Sequence, residues 1–108
     1  MAREVARGDI WLYRVAPPDK RRPVVVLSRD AALRVLRTAI VAPITTTIRG
    51  LRSEVRVGIA EGLKTESAIN LDHLYTVGKE DLRRWLGQLS PDRMNEMCRA
   101  AQVALGCD

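Results

Sequence analysis

Aromatic residues are scarce in this 108-residue chain: two Trp, two Tyr and no Phe. A core must therefore be built from Val, Ile, Leu, Ala and Met. Cysteine is scarcer still, with Cys98 and Cys107 alone, and neither lies in a CxxC. With His73 the only histidine, there are too few soft ligands for a structural zinc site, and a disulfide framework is excluded as well. No apolar run approaches the roughly 18 residues a membrane helix needs. The N-terminal MAREVARGD is charged and lacks an apolar h-region, so it does not read as a secretory signal. A cytoplasmic location without membrane contact is expected. Walker, GxGxxG, HExxH and GxSxG motifs are all missing, and the acidic residues are scattered. No metal and no cofactor are expected.

What the chain does have is positive charge. Lys and Arg total 18 against 13 Asp and Glu, for a net charge of +5 and a pI near 9.9. That balance favours an anionic partner, and nucleic acid is the usual one. Arg supplies 15 of the 18 cations, which also fits the codon bias of a GC-rich genome.

Length and composition fit one domain, residues 1–108. Gly8-Asp9 turns into a strand over 10–14, with Trp11 and Tyr13 on one face and Ile10 and Leu12 on the other. Trp11 reads as core. Residues 15–22 form a proline-stiffened loop. Pro23 suits a strand start, and 24–28 is apolar without alternation, so it is expected to be buried on both faces. Asp30 is placed to cap a helical turn over 31–36. Further strands are expected at 38–44, 54–57, 67–71, 75–77 and 85–89. A loop falls at 45–52, a tight turn at 72–74, and a helical turn at 79–84. Ser90-Pro91 opens a helix whose apolar face is Met94, Met97, Cys98, Ala101, Ala104 and Leu105, and Gly106 closes it. Cys98 is expected to be buried. Six or seven short strands and one amphipathic helix predict a mainly β fold: a small barrel or strongly curved sheet with a C-terminal helix laid against it.

Two polar rims flank two apolar strands. One is Lys20-Arg21-Arg22, before Pro23. The other is Thr45-Thr46-Thr47, after VAPI. Arg grips phosphate with a planar fork that stays charged near neutral pH. Threonine hydroxyls donate to phosphate oxygens. Together such groups can hold a phosphodiester and stabilise the charge of its cleavage, and in RNA the nucleophile is the neighbouring 2′-OH. Each rim alone also reads blandly, as a charged sheet edge or as a β-prone run ending in a loop.

The segments RGDIW (7–11), RRPVVVLSRD (21–30), TAIVAPITTTIRGLRSEV (38–55), GL (62–63), SAINLDHLYTV (67–77) and LGQL (86–89), before a helix ending in ALG, together resemble the MazF/PemK family of toxins from type II toxin–antitoxin modules. The resemblance covers residues 7–106. It implies a single-domain SH3-like (CcdB/PemK-type) barrel with a C-terminal helix, acting as a homodimer. It implies a metal-independent, sequence-specific endoribonuclease, an mRNA interferase, that cuts single-stranded mRNA through the 2′-OH and leaves a 2′,3′-cyclic phosphate and a 5′-hydroxyl. It also implies a cognate, MazE-like antitoxin. By position, the family's catalytic arginine falls on Arg22 and its catalytic threonine on Thr45. Arg22 would neutralise the transition-state phosphate and protonate the leaving 5′-oxygen; Thr45 would orient the phosphate or the 2′-OH. Lys20, Arg21, Thr46, Thr47 and Arg49 would line the RNA groove, and Tyr13 and Tyr75 are available for base stacking. Which group acts as base stays open, because an ordinary arginine is too basic. The family's longer first loop is shortened here at 15–20, and a common glutamine is replaced by His73, either a surface turn residue or a base contact. Two other readings remain at this stage: a CcdB-like gyrase inhibitor, disfavoured because no Trp follows Trp85, and a non-catalytic SH3-like RNA-binding module.

Overall fold

The computed structural model describes residues 3–14 and 21–108. The expected loop at 15–20 lies outside the described residues. Seven strands and two helices follow in the order β1 (Asp9–Tyr13), β2 (Arg22–Val26), α1 (Asp30–Val35), β3 (Thr38–Thr45), β4 (Glu54–Val57), β5 (Ser67–Asn70), β6 (Tyr75–Gly78), β7 (Leu82–Gln88) and α2 (Pro91–Leu105). All pairings are antiparallel, and the sheet runs β4-β5-β3-β2-β1-β7, with β6 on β3. None of the described residues is in a helix long and apolar enough to cross a membrane.

β2 is the centre, as its unbroken apolar run predicts. Val24, Val25 and Val26 are each fully buried. Successive side chains point to opposite faces, so two separate cores meet at this strand. Val25 joins Ile10, Ala42, Ile44, Val55, Ile69 and the α2 residues Met97 and Ala100. Val24 and Val26 join Trp11, Leu33 of α1, Val41, Val77 and Leu82. Trp11 is therefore core, as expected.

β3 bends the sheet. Thr38 to Val41 pair with β6, Val41 to Pro43 with β2, and Ile44 and Thr45 with β5. One edge of a single strand thus serves two partners, and Pro43, which has no N–H to donate, sits between the two pairings. Among the described residues no ladder joins the sheet's end strands β4 and β7, so the expected barrel is open. Backbone contact spans that gap. The 3-10 turn Ile59–Glu61 lies on β7 so closely that a Cβ on Gly87 would stand 2.3 Å from the Glu61 carbonyl oxygen.

Asp9 ties the first strand to the last. It is buried, and its carboxylate accepts from the Ala6 N–H at 2.9 Å and from the Trp11 and Trp85 indole N–H groups, both at 3.3 Å.

Several local expectations are corrected. The helical turn after β6 is only the 3-10 turn Lys79–Asp81, and β7 already begins at Leu82. Asp30 does not cap α1; its Oδ1 accepts the Arg7 N–H at 2.9 Å, and Arg29 stands at the cap position without a side-chain bond. Cys98 is exposed, with Arg7 Nη2 donating to its Sγ at 3.3 Å. Of the predicted α2 face, Met97 is buried and Met94, Ala101 and Ala104 pack against the core; Ala100 joins them, and Cys98 and Leu105 lie outside. The ends of α2 match expectation: Ser90 Oγ accepts from Arg93 N at 3.2 Å, Pro91 follows, and Gly106 closes the helix at φ +72°.

Candidate functional site

The two rims meet at the ends of neighbouring strands. β2 and β3 pair as Val24↔Pro43, Val25↔Ala42 and Val26↔Val41. Two residues further along this register, the first residue of β2, Arg22, aligns with the last of β3, Thr45. Arg22 was expected in the loop before its strand and Thr45 in the loop after; both instead hold strand positions, where the backbone is fixed by pairing. Arg22 pairs with Tyr13 of β1, and Thr45 with Ala68 of β5. Arg22 is exposed and Thr45 half-buried, so each is anchored at the backbone and open at the side chain.

Thr45 Oγ1 accepts the Thr47 N–H at 3.0 Å. Its oxygen is thereby engaged as acceptor, and its O–H remains available to donate. Arg22 sits by two aromatic rings. Tyr13, its cross-strand partner, meets Tyr75 edge to face, centroids 5.9 Å apart at 62°. Burial and the neighbouring Tyr13 raise the Tyr75 pKa above the ordinary 10.0, while the charge of Arg22 pulls it down. The phenol of Tyr75 is thus neutral and a hydrogen-bond donor near neutral pH, within the field of Arg22.

Arg21, Thr46, Thr47 and Arg49 are all exposed on the same rims. Lys20 lies outside the described residues. In the middle of the loop carrying Thr46, Thr47 and Arg49, Glu54 Oε1 accepts from the N–H groups of Arg49, Gly50 and Leu51 at 3.1, 2.9 and 3.3 Å.

His73 lies in the 3-10 turn Leu71–His73. Asn70 Oδ1 accepts the Asp72 N–H at 3.0 Å, which turns the Asn70 amide nitrogen toward His73 Nδ1 at 2.6 Å. In that network Nδ1 accepts, so the proton sits on Nε2 and the exposed edge of the ring is a donor. Sequence reasoning passed over Glu54 and Asn70. Glu54 read only as one polar position of an alternating strand, and Asn70 as a strand residue. Among the described residues, no three His, Cys, Asp or Glu side chains gather where they could hold a metal ion.

The model of the family described as PemK-like, MazF-like toxin of type II toxin-antitoxin system matches residues 6–105. The chain is 48% identical over 103 residues to a probable endoribonuclease, MazF5, of Mycobacterium tuberculosis, covering 94% of each chain. Its fold superimposes on the structure of Mycobacterium tuberculosis toxin MazF-mt6 with a TM-score of 0.84 at 35% identity, over 93% of this chain and 98% of that one. It superimposes equally well on an endoribonuclease in complex with its cognate antitoxin from a mycobacterial species, with a TM-score of 0.86 at 27% identity over 96% and 97% of the two chains. The chain belongs to the family of PemK-like, MazF-like toxins of type II toxin–antitoxin systems.

Proposed function

We propose that the chain is one toxin domain and a sequence-specific endoribonuclease that cuts single-stranded mRNA, with Arg22 and Thr45 at the reacting phosphate. The observation that carries this reading is the β2–β3 register, whose last pair, Val24↔Pro43, leaves Arg22 and Thr45 each two residues further on at adjacent strand ends. The names of the matched relatives, endoribonucleases among them, supply the reaction class.

The chemistry follows from what RNA brings. The 2′-OH, losing its proton to a base, attacks the adjacent phosphorus. The bond to the 5′-oxygen breaks, and that oxygen takes up a proton. The products are a 2′,3′-cyclic phosphate and a 5′-hydroxyl. The protein has to hold the phosphate in line and stabilise the extra charge of the phosphorane. Arg22 supplies the charge, through hydrogen bonds that a guanidinium makes in pairs. Thr45 supplies a donor whose direction is set by its bond from Thr47. Neither role calls for a metal ion. Arg21, Thr46, Thr47, Arg49 and Lys20 would take flanking phosphates, and His73, with Nε2–H outward, a base edge.

We further propose a homodimer that a MazE-like antitoxin neutralises in the cytoplasm. A matched mycobacterial endoribonuclease is seen with its cognate antitoxin, which supports the second half of that statement. Expression of this chain without an antitoxin should arrest growth and leave mRNA fragments with 5′-hydroxyl ends. Harmless expression with intact mRNA would refute the toxin reading.

A further inference from the structure

The loop 46–53, which carries Thr46, Thr47 and Arg49, is held by no strand. It is nevertheless ordered at both ends by side chains. At its entry Thr45 Oγ1 takes the Thr47 N–H. At its exit the Ser53 hydroxyl donates to Asp72 Oδ2 at 2.5 Å, and the Leu71 N–H donates to the Ser53 carbonyl at 3.0 Å. Between them, a single oxygen of Glu54 gathers three successive N–H groups, those of Arg49, Gly50 and Leu51. The other oxygen of Glu54 is buried, with no partner among the described residues. Glu54 itself is fixed as the first residue of β4, opposite Asn70 of β5.

This is an odd place for an anion. A carboxylate beside a phosphate-binding loop repels the ligand by charge alone. Three convergent amides also form the kind of concavity that binds an external anion, and here the protein's own carboxylate fills it. We infer that Glu54 is a positioning residue for RNA: by occupying the amides of 49–51 it fixes the loop in the shape that presents Thr46, Thr47 and Arg49 to the phosphates flanking the scissile bond. The inference rests on the endoribonuclease reading. Arg22 and Thr45 are held at the backbone by strand pairing, so the effect falls mainly on binding; only the Thr47 bond to Thr45 Oγ1 links the loop to the chemical step.

Charge and positioning predict opposite signs, which makes the test sharp. KM and kcat for a defined single-stranded RNA are measured for the intact protein, Glu54→Ala, Glu54→Gln and Gly50→Ala. Kd is measured in parallel on the same sequence made uncleavable by 2′-deoxy substitution. Circular dichroism and thermal melts verify folding. Glu54→Ala should raise KM and Kd about tenfold, the loss of a charged hydrogen-bonding group, with kcat within about twofold. Glu54→Gln keeps an acceptor for the amides and should recover most of the affinity. Gly50 sits at φ +72° with open space around it, so Gly50→Ala strains the same turn without touching any charge and should also weaken binding. If Glu54→Ala tightens binding or leaves it unchanged in a folded protein, or if kcat falls at constant Kd, the inference is wrong. If Glu54→Ala does not fold, Gly50→Ala and Glu54→Gln decide by the same signs. The Kd measurements read the inference even if no cleavage is seen, so the failure of one idea stays separate from the failure of the other.

Discussion

Arg22 begins β2, Thr45 ends β3, and each lies two residues beyond the pair Val24↔Pro43 that closes the ladder between these antiparallel strands. A cation and a hydroxyl 23 positions apart in sequence thereby share one rigid mount. Arg22→Ala should lower kcat by about 10²–10³, the scale for removing one preorganised donor from a developing anion. RNA binding should weaken far less. Arg22→Lys should recover only part of the rate, because an ammonium cannot make paired hydrogen bonds. Single-turnover kinetics beside Kd on uncleavable RNA separate the two effects. A fall in affinity that accounts for the whole loss would assign Arg22 to binding.

Thr45 has two jobs that different substitutions separate. Thr45→Val removes both the acceptor for Thr47 and the donor toward phosphate, and should cost roughly 10–100-fold in kcat/KM. Thr45→Ser keeps both and should stay within about threefold of the intact protein, on the same scale. Activity kept in Thr45→Val and lost in Thr45→Ser would mean that the methyl group, and not the hydroxyl, matters.

As candidates these residues stood out because each sits where an apolar run meets polar residues, at Arg22-Pro23-Val24 and at Ile44-Thr45. β2 was readable for the same reason: three valines in a row have no polar face, and both cores claim them. The start of β7 was not. Its pairing with β1 shifts register twice, so Arg83, Arg84 and Trp85 lie exposed in succession and no alternation survives. Most of the buried face of α2 was readable, but Cys98 and Ala100 are both small, and only the docked helix shows that Ala100 is the buried one. Glu54 was invisible, since its three hydrogen bonds depend on how the loop before it curls.

Tyr75 gives a prediction in pH. Its pKa lies above the ordinary 10.0, from burial first and Tyr13 second, against an opposing pull from Arg22. An acid whose folded pKa is raised keeps its full contribution to stability below the unfolded value and loses it as pH rises through the folded one. Stability should therefore drop above about pH 10, the unfolded tyrosine value, and Tyr75→Phe should lessen that drop. Arg22→Ala removes the downward pull and should move Tyr75 higher still, as read by ultraviolet titration. Movement downward would mean that Arg22 does not act on this ring.

Arg21 and Arg49 are exposed cations of the two rims. If each neutralises one RNA phosphate, Arg21→Ala and Arg49→Ala should each reduce the slope of log K against log salt by about 0.7, the single-strand value, and weaken binding alike for different sequences. Filter binding across a salt series measures both. An unchanged slope would remove that residue from the groove.

The sheet's open side makes a stability prediction. Gly87→Ala would drive a Cβ against the Glu61 carbonyl at 2.3 Å, backbone against backbone. It should destabilise by about 1–3 kcal/mol, the range for overpacking, with a lower Tm. A variant as stable as the parent would show that the turn after β4 does not brace β7.

The measurement closest to the central claim is cleavage of a long defined RNA with EDTA present, comparing the intact protein with Arg22→Ala and mapping every 5′ end. The account predicts cuts at a recurring short motif, 5′-hydroxyl ends, and cuts that form about 10²–10³-fold more slowly with the variant. Intact RNA with both proteins, at concentrations where each binds it, would contradict the account.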